Sequence, residues 1–125
     1  MKSKIMVVDD EMHIRELVRF YLDKAGFDTI EAANAEEALD IVENQYIDLA
    51  VVDIMMPGMD GPQTLEQLVN LVDINVVPVA FMTAKVQPAE VEHYRSLGAR
   101  DVIIKPFDPM QLASQIRAIW SRSNG

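Results

Sequence analysis

Four apolar runs in this chain each end in polar residues. Ile5-Met6-Val7-Val8 leads into Asp9-Asp10, and Leu49-Ala50-Val51-Val52 leads into Asp53. Val77-Pro78-Val79-Ala80-Phe81-Met82 leads into Thr83, and Val102-Ile103-Ile104 into Lys105. Apolar runs of this length between helical patterns read as strands of a parallel sheet covered on both faces. In open α/β sheets, ligands bind outside the carboxyl ends of the strands. Three acids, a hydroxyl and an amine, far apart in sequence, are therefore expected to meet on one sheet edge. That makeup suits a site for a metal ion and a phosphoryl group.

The segments between the runs complete an alternating β/α pattern. Residues 4–8 form the first expected strand. Ile14, Leu17, Val18, Tyr21, Leu22 and Ala25 then recur at helical spacing until Gly26 ends the helix. Residues 27–32 are the second strand, and Asn34 with Glu37 forms a capping box for a helix reaching about Asn44. Residues 48–52 are the third strand. The loop 56–61 follows, and Pro62 opens a helix with Leu65, Leu68, Val69 and Val72 on its apolar face. Residues 77–82 are the fourth strand. Pro88 starts a helix with Val91, Tyr94 and Leu97 on one side, closed by Gly98. Residues 101–104 are the fifth strand. Asp108-Pro109 caps a last helix carrying Leu112, Ile116, Ile119 and Trp120, with residues 121–125 as a frayed tail.

Five β/α units with short connections predict one domain, residues 1–125, with a parallel sheet and five helices on its two faces. Of the two common doubly wound orders, 2-1-3-4-5 needs only five strands. It sets the first and third strands side by side, so Asp9, Asp10 and Asp53 become neighbours.

The net charge of -9, from 20 acidic and 11 basic residues, argues against direct nucleic-acid binding, which needs a basic face. There is no cysteine, hence no disulfide and no thiolate metal site, which suits a reducing cytoplasm. No apolar stretch approaches the ~20 residues needed to cross a bilayer, and the N-terminus does not read as a signal peptide. His13 and His93 read as exposed helix residues, Trp120 as packing, and most of the eight methionines as core filler. Gly58 and Gly61 are too few for a nucleotide-cradling loop.

Three carboxylates gathered at one edge repel one another unless a cation sits among them. Mg²⁺ suits hard oxygen donors and keeps several waters, so two or three carboxylates are enough. One carboxylate can then act as a nucleophile toward phosphorus and form an aspartyl phosphate. Asp53, the lone acid after a central strand, is the candidate nucleophile, and Asp9 and Asp10 are better placed as metal ligands. Lys105 can supply counter-charge and Thr83 a hydroxyl hydrogen bond, since phosphoryl transfer is mainly positioning and neutralisation of charge. Taken singly, each residue has a plain structural reading. The acids can cap a helix or a turn, Thr83 can end a strand, and Lys105 can be a solvated lysine. All of them at the carboxyl ends of expected strands would require four coincidences.

With these residues in view, the chain resembles, over essentially its whole length, the receiver domain of two-component response regulators, a flavodoxin-like fold. The matching pieces are Val-Val-Asp9-Asp10-Glu11, the stretch from Asp53 through Pro57 to Gly61, Thr83-Ala84, and Lys105-Pro106-Phe107. The resemblance implies that Asp53 accepts a phosphoryl group from a phosphohistidine on a sensor histidine kinase or histidine phosphotransfer protein. It implies that Asp10 binds Mg²⁺ directly, Asp9 largely through water, and the Met55 backbone carbonyl as a further ligand. Thr83 and Lys105 would hold the phosphoryl oxygens, and the Lys105-Pro106 bond would be cis. The output would be protein–protein contact through the face made by the fourth helix, fifth strand and fifth helix, with Tyr94, Arg95, Arg100, Met110, Gln111 and Ile119 as contact candidates, and with a phosphorylation-dependent dimer as one form of it. Such a domain is not an enzyme toward other substrates; it catalyses only its own phosphorylation and slow self-dephosphorylation. A start at methionine and an end just after the last helix favour a stand-alone regulator over an excised receiver.

The match departs from the family at three positions. Family members often carry an aromatic ring three residues before the lysine, and here that position is Val102. Without a ring to swing, signalling is expected to rely more on the segment around Ala84 to Pro88. Met55 and Lys85 occupy the two positions that tune loss of the phosphoryl group in the family. Met55 cannot orient a water, so slow self-dephosphorylation is expected.

The main alternative is a receiver-like module that binds partners without phosphorylation, which missing site residues would signal; all five are present. An aspartyl phosphatase or phosphomutase usually has a second Asp two residues after the nucleophile, where this chain has Met55. A flavin-binding protein of this fold would need a Ser/Thr-Gly phosphate loop after the first strand.

Overall fold

Alternation of side chains along a strand lets one apolar strand feed two cores, and this sheet is built that way. The computed structural model describes residues 3–53, 77–83, 88–96, 98–105 and 108–124. The strands are β1 (Lys4–Val8), β2 (Asp28–Ala32), β3 (Leu49–Asp53), β4 (Val79–Thr83) and β5 (Asp101–Ile104). They pair in the order β2-β1-β3-β4-β5, parallel throughout. The helices are α1 (Met12–Lys24), α2 (Ala35–Asn44), α3 (Pro88–Ser96) and α4 (Pro109–Asn124). Four of the five expected helices thus fall among the described residues; the one expected from Pro62, and the loop before it, lie outside them.

Ile5, Val7, Val51, Ala80 and Met82 face one way, packed with Val18 and Leu22 of α1 and Leu112, Ile116 and Ile119 of α4. Met6, Val8, Val52 and Phe81 face the other way, against Ala38 of α2, with Tyr94 of α3 packed on that cluster. Each fully buried Leu or Ile contributes about 1.5–3 kcal/mol. These contributions hold the helices to the sheet and so fix the strand ends. The Tyr94 ring meets Phe81 edge to face at 5.7 Å.

Local signals set the helix ends. Gly26 and Gly98 take positive φ, 96° and 109°. After α1, Gly26 N–H donates to Asp23 and Phe27 N–H to Leu22; after α3, Gly98 donates to Arg95 and Ala99 to Tyr94. This is the paired bonding of a Schellman turn, which a glycine enters without a Cβ clash. Asn34 Oδ1 accepts from Glu37 N–H at 2.9 Å, and Glu37 returns a bond to the Ala33 N–H, one residue before the cap. Asp108 accepts from Met110 N–H through its carboxylate and from Leu112 N–H through its carbonyl.

The structure differs from expectation in a few places. β3 and β4 run on to Asp53 and Thr83, which pair with Met82 and Ile104, and β4 starts at Val79 rather than Val77 because Pro78 has no N–H for the ladder. Leu17 is exposed although it shares the helical spacing, since Val18 and Leu22 take the buried stripe. The expected frayed tail is helical to Asn124; no Gly or Pro interrupts the chain before Gly125. Of the described methionines, Met6 and Met82 are core, whereas Met12 and Met110 are exposed.

Candidate functional site

The ladder carries Asp9, Asp53 and Thr83 to one edge. Asp9 follows β1, and its N–H donates to the Ala32 carbonyl of β2 at 3.1 Å. Asp53 closes β3 and Thr83 closes β4. Lys105 follows β5, and its backbone N–H donates to the Thr83 carbonyl at 2.7 Å. Asp9, Asp53 and Thr83 are buried, and Asp10 lies exposed at the rim.

The Lys105 ammonium bridges two of the acids. Its Nζ donates to Asp9 Oδ2 at 3.0 Å and to Asp53 Oδ2 at 3.3 Å. Burial pulls the lysine pKa down, but the hydrogen bond to Asp9 and the charges of Asp9 and Asp53 outweigh it, leaving the group above its ordinary 10.5. Lys105 is therefore a cation at neutral pH. Asp9 is held further by its other oxygen, Oδ1, which accepts from the Glu11 N–H at 3.0 Å. Buried carboxylates are tolerated when paired and hydrogen-bonded in this manner.

One ligand oxygen from each of Asp9, Asp10 and Asp53 can be chosen so that all lie within 4.8 Å of one another, the one such grouping among the described residues. Three carboxylates against one ammonium leave an excess of negative charge on hard oxygen donors. That donor set fits a small divalent cation such as Mg²⁺.

All five expected site residues, Asp9, Asp10, Asp53, Thr83 and Lys105, thus come to the same edge. Met55, Lys85 and Pro106 lie outside the described residues, as does most of the segment around Ala84 to Pro88. His13 is exposed, with Nε2 3.2 Å from Glu11, and His93 is exposed on α3. Of the expected contact residues, Arg95, Met110 and Gln111 are exposed and Tyr94 and Arg100 half-buried. Ile119 is a correction: it is fully buried in the core under α4, because it continues the stripe of Leu112 and Ile116. Among the described residues no helix is long and apolar enough to cross a membrane.

Sequence reasoning passed over Arg15. Its Nη1 donates to the Asp9 carbonyl at 2.6 Å, and its Nε donates to Glu31 of β2 at 3.2 Å. The available signal was position: Arg15 stands three residues before Val18 and seven before Leu22, on the buried stripe of α1.

Comparison with known proteins agrees with this geometry. The family model described as "Response regulator receiver domain" matches residues 5–117. A probable transcriptional regulator, ycf27, of Porphyridium aerugineum is 39% identical over 97% of this chain and 49% of its own length. The alkaline phosphatase synthesis transcriptional regulatory protein PhoP of Bacillus subtilis is 37% identical over 98% of this chain and 50% of its own. The chain thus spans about half the length of these curated relatives. Among solved structures, a CheY-like receiver domain protein from Methanospirillum hungatei superposes with a TM-score of 0.89 at 27% identity, covering 99% of this chain and 98% of that one. The chemotaxis response regulator CheY4 of Vibrio cholerae gives 0.89 at 26% identity, covering 95% and 99%. With the matched span running from β1 into α4, and the acids, threonine and lysine standing at the strand ends, the chain belongs to the response regulator receiver domain family.

Proposed function

We propose that this chain is a phosphorylation-dependent switch of a two-component phosphorelay, with Asp53 as the phosphoacceptor. The observation that carries the reading is Lys105 Nζ held between Asp9 and Asp53 at the edge where Thr83 also ends. In the transfer, an Asp53 carboxylate oxygen forms a bond to phosphorus while the P–N bond of a phosphohistidine breaks. The imidazole leaves with the electron pair and remains on the donor, a sensor histidine kinase or histidine phosphotransfer protein. Asp9, Asp10 and Asp53, with the Met55 carbonyl, would hold Mg²⁺, which when bound neutralises the carboxylates and the phosphoryl oxygens. Lys105 then turns its ammonium from the carboxylates to a phosphoryl oxygen, and the Thr83 hydroxyl donates to another.

The domain processes no substrate but its own aspartate. Its output in this reading is a changed protein-binding surface on α3, β5 and α4, where Ile104 and Met110 are exposed. That surface could equally serve a dimer formed on phosphorylation. The acidic balance assigns no nucleic-acid contact to this domain. A cytoplasmic setting goes with a chain lacking cysteine.

The test is intact mass after incubation with Mg²⁺ and acetyl phosphate, for the wild type and Asp53→Asn. A gain of one phosphoryl group by the wild type alone, abolished by chelation, is the expected result. No gain by the wild type would replace the switch with a phosphorylation-independent binding module.

A further inference from the structure

We infer that Arg15 is a positioning residue that sets the geometry of the Asp9–Asp10 pair, with Glu31 as its clamp. The inference rests on the reading of those acids as Mg²⁺ ligands.

Arg15 sits in the first turn of α1 in line with the buried Val18 and Leu22, a position an apolar side chain would ordinarily fill. Its side chain is only 14% exposed and folds back over the end of β1. Nη1 reaches the Asp9 carbonyl at 2.6 Å, and Nε reaches Glu31 Oε1 at 3.2 Å. Glu31 lies on β2 opposite Val7, and its second oxygen accepts from Arg19 at 3.1 Å. The guanidinium therefore spans from the peptide after β1 to the neighbouring strand.

The atom it grips matters. The Asp9 carbonyl belongs to the peptide joining Asp9 to Asp10, and a peptide is planar. Fixing that oxygen fixes the plane, and with it the direction in which the Asp10 Cα leaves. The Asp9 N–H is already tied to Ala32, so both backbone polar groups of Asp9 are held. Asp10 has no strand to hold it, being exposed beyond the ladder. The grip of Arg15 on the shared peptide supplies that missing constraint. The task suits arginine, whose rigid fork can serve a carbonyl and a carboxylate at once, whereas a lysine ammonium is a point charge.

Charge and position predict opposite signs. A cation near three carboxylates disfavours a second cation, so by charge alone its removal would tighten Mg²⁺ binding. If Arg15 acts by position, its removal weakens binding despite the lost repulsion. Groups that orient metal ligands are worth about 10–100-fold in metal affinity, and about tenfold is expected for Arg15→Met.

The experiment is titration of the full chain with Mg²⁺ alone, followed by the backbone amide resonances of Asp10 and Glu11, for the wild type, Arg15→Met, Arg15→Lys, Glu31→Ala and Glu31→Gln. Both Arg15 variants are expected to bind more weakly. Glu31→Ala should weaken binding as well, while Glu31→Gln, which keeps an oxygen for Nε, should lie nearer the wild type. Should Arg15→Met lose the dispersed spectrum of a folded chain, the Lys and Glu31 variants decide. Wild-type affinity or tighter in the folded variants overturns the inference and leaves the metal site standing. No Mg²⁺ response in the wild type overturns the metal site and the inference with it.

Discussion

Lys105 and Asp9 stand 96 residues apart in sequence and meet through a 3.0 Å hydrogen bond at the carboxyl edge of the sheet. Asp9 is fully buried and Lys105 keeps a fifth of its side chain exposed. The pair is therefore held inside the fold, with a path to solvent on the lysine side. Asp53 shares the same ammonium, so one cation secures two carboxylates from two strands.

Lys105→Met removes that cation and leaves two buried acids facing each other. Without Mg²⁺ the variant should lose about 2 kcal/mol, below the full penalty for stripping one partner from a buried pair because Lys105 is partly solvated. A divalent ion can replace the lost charge, so Mg²⁺ should stabilise the variant more than the wild type. Urea denaturation with and without Mg²⁺ checks both statements. Equal Mg²⁺ stabilisation of the two proteins would mean that the ion and the lysine do not share the acids.

Asp9 and Asp10 are neighbours with unequal structural duties. Asp9 accepts from Glu11 N–H and from Lys105, whereas Asp10 is exposed at the rim. Asp10→Asn should leave stability without Mg²⁺ within about 0.5 kcal/mol of the wild type, as surface changes do. It should nevertheless abolish the rise in melting temperature that Mg²⁺ gives the wild type. Asp9→Ala should cost about 1–3 kcal/mol in the absence of the ion, since it takes the carboxylate acceptor from the Glu11 N–H and from Lys105. Thermal melts of the three proteins in chelator and in Mg²⁺ separate these roles, and a normal Mg²⁺ response from Asp10→Asn would remove it from the ligand set.

Much of the fold and of the site was legible because two patterns coincide. The apolar runs leading into Asp9, Asp53, Thr83 and Lys105 name four of the five strands and mark the edge where these side chains meet. Gly26, Gly98, Asn34 and Asp108 mark helix ends through backbone chemistry that acts locally. Arg15 stayed hidden because its partner is a carbonyl, and carbonyls leave no trace in a side-chain pattern. Ile119 was expected on a contact face as well as in the core stripe. Only helix phase resolves that choice, since 119 falls seven residues after Leu112 and three after Ile116. Leu17 shows the converse, an apolar residue at plausible spacing that the packed stripe leaves outside.

The two sides of α4 should answer differently to truncation. Ile119 is 0% exposed and packs with Leu112, Ile116 and the strands, while Met110 is 68% exposed at the helix start. Ile119→Ala should cost about 2–5 kcal/mol through lost burial and a residual cavity. Met110→Ala should fall within about 0.5 kcal/mol of the wild type. Chemical denaturation compares them directly. If α4 presents the output surface, Met110→Ala should instead weaken capture of the phosphorylated domain's partner, with phosphoryl incorporation unchanged.

The cap of α2 offers a measure of local stability at a place that supplies none of the clustered carboxylates. Asn34 Oδ1 accepts from Glu37 N–H at 2.9 Å, and Glu37 Oε1 accepts from Ala33 N–H at 2.8 Å, so two donors at the start of the helix are satisfied by a reciprocal pair. Glu36 and Glu37 also place negative charge in the first turn, where the helix dipole favours it. Asn34→Ala should destabilise the chain by about 1 kcal/mol, the usual worth of such a cap. Asn34→Asp should keep the acceptor and lie close to the wild type. Both should take up phosphoryl from acetyl phosphate as the wild type does, since α2 contributes none of the carboxylates. Denaturation midpoints and intact mass, measured on the same samples, check the two halves of the expectation. A cap variant that folds normally but fails to be phosphorylated would show that α2 acts on Asp53 through the Met6–Val8–Val52–Phe81 core that it covers.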